Sequence, residues 1–103
     1  DVVGAVGDGQ WLIGAADTFQ PDVIVTDISM PGLNGIEAAR LIIRKNPTSR
    51  IILLTAYKDS ALLEQGLSAG ALGYVLKLKA DEELSLAIRS ALEDKRFVSP
   101  EVA

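Results

Sequence analysis

The sequence predicts an α/β fold in which a parallel sheet is covered by helices on both faces. Three observations carry this. Short runs rich in Val and Ile recur at 2–6, 23–26 and 51–54, with a fourth apolar run at 73–76. The middle two are uninterrupted rather than alternating, as strands buried on both faces are. Between the runs, apolar residues return with helical period, giving the order β-α-β-α-β-α-β-α with short connections. Four strands and four helices in this order imply right-handed parallel crossovers.

Each element has its local reason. Val2–Val6 is read as the first strand, ended by Gly7-Asp8-Gly9. From Gln10 to Phe19, Leu12, Ala15, Ala16 and Phe19 fall on one helical face, with Trp11 and Ile13 off the stripe. Pro21 stops this helix, and Val23-Ile24-Val25-Thr26 runs straight into Asp27. A Met30-Pro31-Gly32 turn follows. Asn34 and Glu37 have the spacing of a capping box, and the helix they open points Ile36, Ala39, Ile42 and Ile43 inward before Pro47. Ile51–Leu54 is a third strand closing on Thr55. Asp59 caps a weaker helix with Leu62, Leu63 and Leu67, whose Gly66 costs about 1 kcal/mol relative to Ala. Gly73–Lys77 is the fourth strand. The last helix, from Asp81 to about Glu93, carries Leu84, Ala87, Ile88, Ala91 and Leu92 on one stripe. Residues 1–96 are read as one domain and 97–103 as the start of a linker.

Composition excludes several chemistries. Lys and Arg number 10 against 14 Asp and Glu, a net charge of −4, so this segment lacks the basic face that direct nucleic-acid binding needs. There is no Cys and no His, which removes thiolate and imidazole chemistry. No apolar run approaches the ~18 residues of a membrane span. A cytoplasmic chain is expected.

Asp27, Thr55 and Lys77 end successive strands. In a parallel sheet they open on the same rim, where open α/β sheets hold their ligands. A carboxylate can be a nucleophile, while a hydroxyl and an ammonium can hold oxygens that gain charge. That trio suits a transferred phosphoryl group. Taken singly, each residue has a blander reading: a turn residue, a β-former and a solvated strand end. Their joint occurrence before a Met-Pro-Gly turn favours function.

Asp27-Ile28-Ser29-Met30-Pro31-Gly32-Leu33-Asn34-Gly35, together with Thr55-Ala56 and Gly73-Tyr74-Val75-Leu76-Lys77, resembles the receiver domain of bacterial two-component response regulators, the CheY-like fold. The flavodoxin-like strand order 2-1-3-4-5 comes with that resemblance. The Thr55-Ala56-Tyr57, Ala69-Gly70-Ala71 and Ser99-Pro100-Glu101-Val102 segments look most like the subfamily with a C-terminal LuxR/NarL-type helix-turn-helix output domain, so the 97–103 linker would lead to an output domain beyond this sequence. The resemblance implies that Asp27 accepts a phosphoryl group from a histidine kinase. Thr55 would be the switch hydroxyl, Lys77 the pairing cation and Tyr74 the aromatic that rotates with the switch. Asp27 and the backbone carbonyl of Ser29 would be magnesium ligands. The module is then a signalling switch and not an enzyme, controlling transcription through its output domain.

One departure weighs against full activity. A receiver begins with a further strand and helix, and that strand ends in an acidic pair that holds Mg²⁺. Upstream of Asp27 the acids are Asp1, Asp8, Asp17 and Asp22, and none forms such a pair. The chain therefore reads as an N-terminally truncated receiver with an incomplete sheet. Mg²⁺ binding is expected to be weak or absent and phosphorylation poor. The alternative is a degenerate receiver acting only as a dimerisation module. Loss of the central strand would expose the edges at Val2–Val6 and Val23–Thr26. Either these strands pair directly or, as favoured on symmetry grounds, two chains form a homodimer through the edges. A dehalogenase-like phosphatase would need a second Asp where Ser29 stands. Gly4, Gly7 and Gly9 do not make a dinucleotide-binding loop.

Overall fold

The computed structural model describes residues 2–5 (backbone only), 23–28, 34–56 and 60–100. Within these, the elements are β1 (Val2–Ala5), β2 (Val23–Asp27), α1 (Gly35–Lys45), β3 (Ile51–Thr55), α2 (Ser60–Ser68), β4 (Gly73–Leu76), a 3₁₀ turn (Lys77–Lys79), α3 (Ala80–Leu92) and β5 (Phe97–Val98). The expected helix at 10–19, the Met30-Pro31-Gly32 turn, Ser29 and the Asp59 cap lie outside the described residues.

All five strands are parallel and lie side by side in chain order. The uninterrupted apolar runs explain why the central strands are buried on both faces: Val23, Ile51, Ile52, Leu53 and Val75 have no exposed surface. Alternate residues face opposite sides. Ile24, Ile51, Leu53 and Tyr74 pack with Ile36, Ala39 and Ile42 of α1, and with Leu62 and Leu63 of α2. Val23, Val25, Ile52 and Val75 pack on the other side with Ala87, Ala91, Leu84 and Ile88 of α3. Helices thus cover both faces, as expected.

Three expectations are corrected. First, the sheet has five strands and not four: Phe97–Val98, assigned to the start of the linker, extends the sheet beside β4. Two residues carry no periodicity, so only pairing reveals them. Because α3 lies on the face opposite α1 and α2 while β5 steps on in the same direction, the β4–α3–β5 connection has the opposite hand to the two before it. Second, β1 pairs directly with β2, with Val2 opposite Val23 and Ala5 opposite Thr26. The β2 edge invoked for a homodimer is therefore covered within the chain, because direct pairing satisfies main-chain groups that would otherwise stand open. Third, Leu92 is 49% exposed and lies off the buried stripe of α3.

The start signal of α1 holds. The Asn34 side chain accepts the Glu37 N–H at 2.9 Å, and its amide donates to the Glu37 carboxylate at 3.2 Å. The capping box is thus closed by side chains. No helix among the described residues is long and apolar enough to cross a membrane.

Candidate functional site

The register of the sheet builds the site. Asp27 lies opposite Leu54, one residue before the end of β3, and Thr55 lies opposite Leu76, the residue before Lys77. Each step across the sheet thus advances the rim by one residue, bringing Asp27, Thr55 and Lys77 to the carboxyl ends of three adjacent strands. Lys77 is not the last residue of its strand, as expected, but the first of the 3₁₀ turn that follows. From there its side chain reaches past the end of β3 to Asp27, placing Nζ 3.1 Å from Oδ2. The two side chains are 47% and 32% exposed, so this is a half-solvated ion pair at an accessible rim.

Asp27 stands on a constrained backbone. The Ile28 N–H donates to the Leu54 carbonyl at 3.0 Å, and the Gly35 N–H donates to the Ile28 carbonyl at 2.7 Å. The Thr26 hydroxyl donates to the Asp27 carbonyl at 3.1 Å. Gly35 approaches so closely that a Cβ there would sit 2.1 Å from that carbonyl oxygen. The start of α1 therefore presses directly on the residue that carries the carboxylate.

Thr55 is buried at the end of β3. Tyr74 lies in the core opposite Leu53, its ring 3.6 Å from where a Cβ on Gly66 would be. The carbonyl of Ser29 lies outside the described residues. No group of three or more acidic, His or Cys side chains converges among the described residues. Asp27 is the carboxylate that ends β2 at this rim, and its Oδ2 already faces Lys77. The cavity of about 350 Å³ beside Ser49, Arg50, Gly70 and Asp94 lies at the opposite end of the sheet and takes no part in this site.

One residue tied to the site escaped the sequence reading. Ser99 is fully buried and holds the Leu76 N–H next to Lys77. The signal was an apolar pair, Phe97-Val98, followed by Ser-Pro, which also fits a short edge strand.

The response regulator receiver domain family matches residues 2–89 of the chain. The transcriptional regulatory protein YxjL of Bacillus subtilis is 43% identical over 90 residues, covering 87% of this chain and 41% of its own length. DesR, a transcriptional regulatory protein of the same organism, is 39% identical over 102 residues, covering 99% of this chain and 50% of its own. The chain thus spans about half the length, or less, of these curated relatives. A LuxR-family two-component response regulator from Aurantimonas sp. superposes with a TM-score of 0.90 at 34% identity, covering 94% of this chain and 69% of its own. The RcsB response regulator of Salmonella typhimurium gives 0.87 at 33% identity, covering 99% and 53%.

Proposed function

Because the chain belongs to the response regulator receiver domain family, we propose that it is the phosphoacceptor module of a two-component signalling protein, phosphorylated at Asp27. The observation that carries the reading is the 3.1 Å approach of the Lys77 ammonium to the Asp27 carboxylate at the exposed rim. A carboxylate oxygen of Asp27 attacks the phosphorus of a phosphodonor. The new O–P bond forms as the donor's bond to phosphorus breaks, and the leaving group keeps the electron pair. Lys77 then balances the charge gathered on the phosphoryl oxygens, and the Thr55 hydroxyl turns to donate to one of them. Tyr74, packed against Leu53 and Gly66, is the aromatic of the switch, and Ser29 is the residue whose backbone carbonyl the family resemblance assigns to the metal.

Receiver domains use Mg²⁺ to neutralise charge during this transfer. One carboxylate and the Ser29 carbonyl are a poor ligand set for an ion that demands near-octahedral oxygen coordination. The described donor set does not fit the metal on its own, and no step is assigned to it. A transfer served by this donor set alone is slow and of low occupancy.

Receiver domains of this family work with histidine kinases, which makes such a kinase the proposed donor, in the cytoplasm. Solved structures of RcsB include a DNA complex and two dimers bound to two parallel DNAs. These support a DNA-binding output following the 97–103 segment, and dimerisation of the whole protein, with transcription as the regulated process. The acidic composition leaves DNA contact to that output.

Incubation with acetyl phosphate and Mg²⁺, followed by intact mass, tests the reading. A substoichiometric phosphoryl adduct that Asp27→Asn abolishes is expected. No adduct at all would overturn the phosphoacceptor assignment, and a stoichiometric one would overturn the argument about the metal.

A further inference from the structure

Phe97 and Val98 add to the outer edge of β4, and the pairing continues beyond them. The Phe97 N–H donates to the Leu72 carbonyl and the Ser99 N–H to the Tyr74 carbonyl, both at 2.9 Å. At the next position the side chain replaces the backbone: the Leu76 N–H donates to Ser99 Oγ at 3.0 Å. The Ser99 hydroxyl proton in turn goes to the Glu83 carboxylate, in the first turn of α3. Ser99 has no exposed surface, so its hydroxyl is a buried group with its donor and an acceptor site both used.

The consequence lies in what the two contacts bracket. Leu76 immediately precedes Lys77, and Glu83 follows the 3₁₀ turn Lys77–Lys79. One hydroxyl therefore ties down the chain on both sides of the residue that reaches Asp27. A backbone carbonyl could satisfy the Leu76 N–H equally well, but it could not also donate to Glu83. The N–H groups of Phe97 and Ser99 face β4, so the N–H that Pro100 lacks would face the open edge of β5 and not this ladder.

We infer that Ser99, through Leu76 and Glu83, is a positioning residue for Lys77 and couples the Asp27 site to the β5 edge of the sheet. The inference rests on the roles proposed above for Asp27 and Lys77. The clasp holds the chain before and after Lys77, and whatever coupling this gives to the ion pair is reciprocal. Weakening the ion pair loosens the tail. Cutting the clasp frees Lys77. A phosphoryl group on Asp27, with more negative charge facing Lys77, tightens both.

Amide hydrogen exchange on the full chain reads the first direction. Asp27→Asn and Lys77→Met leave every clasp residue in place, yet both should speed exchange at Leu76 and Ser99 by on the order of fivefold, the low end of typical couplings. Ile42 in α1 serves as the control and should not change. The second direction is read from the acetylation rate of Lys77 Nζ by peptide mass. Ser99→Ala raises it, and Ser99→Thr, which keeps the hydroxyl, restores it. A clasp that only seals the sheet edge leaves Ser99 exchange unmoved in both site variants, and that result overturns the inference. Should Ser99→Ala fail to fold, the two site variants decide alone. Neither readout requires phosphorylation, so failure here is distinct from failure of the mass assay.

Discussion

At the scale of single residues, two glycines show where packing overrules propensity. In Gly35, an added Cβ would meet the Asp27 carbonyl oxygen at 2.1 Å and the Ile28 Cα at 3.0 Å. Both are backbone atoms held in the sheet, so neither can move away cheaply. Gly35→Ala should destabilise by about 1–3 kcal/mol, as overpacking does, and because the displaced carbonyl belongs to Asp27, the phosphoryl adduct should fall with it. Urea unfolding and the acetyl phosphate assay measure the two effects. Gly66 is the milder case. Its new Cβ would meet Leu53 Cδ1, a side-chain end, at 2.8 Å, with the Tyr74 ring 3.6 Å away. The ~1 kcal/mol that Ala gains in a helix works against this crowding. Leu53 and Tyr74 are both fully buried, so crowding wins and Gly66→Ala should be net destabilising by up to about 1 kcal/mol. Propensity alone predicts the opposite sign, and thermal unfolding of this one variant separates the two.

At the scale of elements, periodicity determines what the sequence can reveal. α1 is legible because its cap, its apolar stripe and its stop all agree, and the stripe residues Ile36, Ala39 and Ile42 are buried. The Asn34 side chain satisfies the Glu37 N–H, so Asn34→Ala should cost about 1 kcal/mol, the usual worth of such a cap. Asn34→Ser, which retains an acceptor, should recover most of it, and urea midpoints of the two variants check this. The strand-end trio is legible for a similar reason: parallel strands share a rim, and the one-residue stagger of the register completes the convergence. Other features were not legible because no local pattern encodes them. Lys77 starts a turn and does not end a strand, which depends on where the β4 ladder stops. Direct β1–β2 pairing depends on which edges find each other. Leu92 fits the α3 stripe by period but is 49% exposed, while its neighbour Ala91 takes the buried place against the sheet. An exposed ion pair such as Arg50–Asp94, with Asp94 70% exposed, adds little to any element.

At the scale of the whole molecule, the question is where the folded unit ends. If Phe97 begins a linker, a chain cut after Arg96 should be as stable as the full one. The structure gives the opposite expectation. Phe97 packs against the α3 side of the sheet and Val98 against the α1 side, so two residues seal both layers at the β4 edge. Half-burial of these side chains and the four hydrogen bonds of Phe97 and Ser99 together contribute roughly 6 kcal/mol. Ordering three residues opposes this by roughly 3–5 kcal/mol. The balance is a net loss of about 1–3 kcal/mol on truncation. With a urea dependence of about 1 kcal/mol per molar, the midpoint should fall by roughly 1–3 M. Truncation also opens the β4 edge, where Tyr74 and Val75 have no exposed surface in the intact chain. Self-association at micromolar concentration should therefore rise along with the loss of stability. An unchanged midpoint together with a monomer by light scattering would restore the linker boundary at residue 97. The predicted pair of changes makes Phe97–Ser99 part of the domain, and any output that follows must then start from a strand already bonded to the switch.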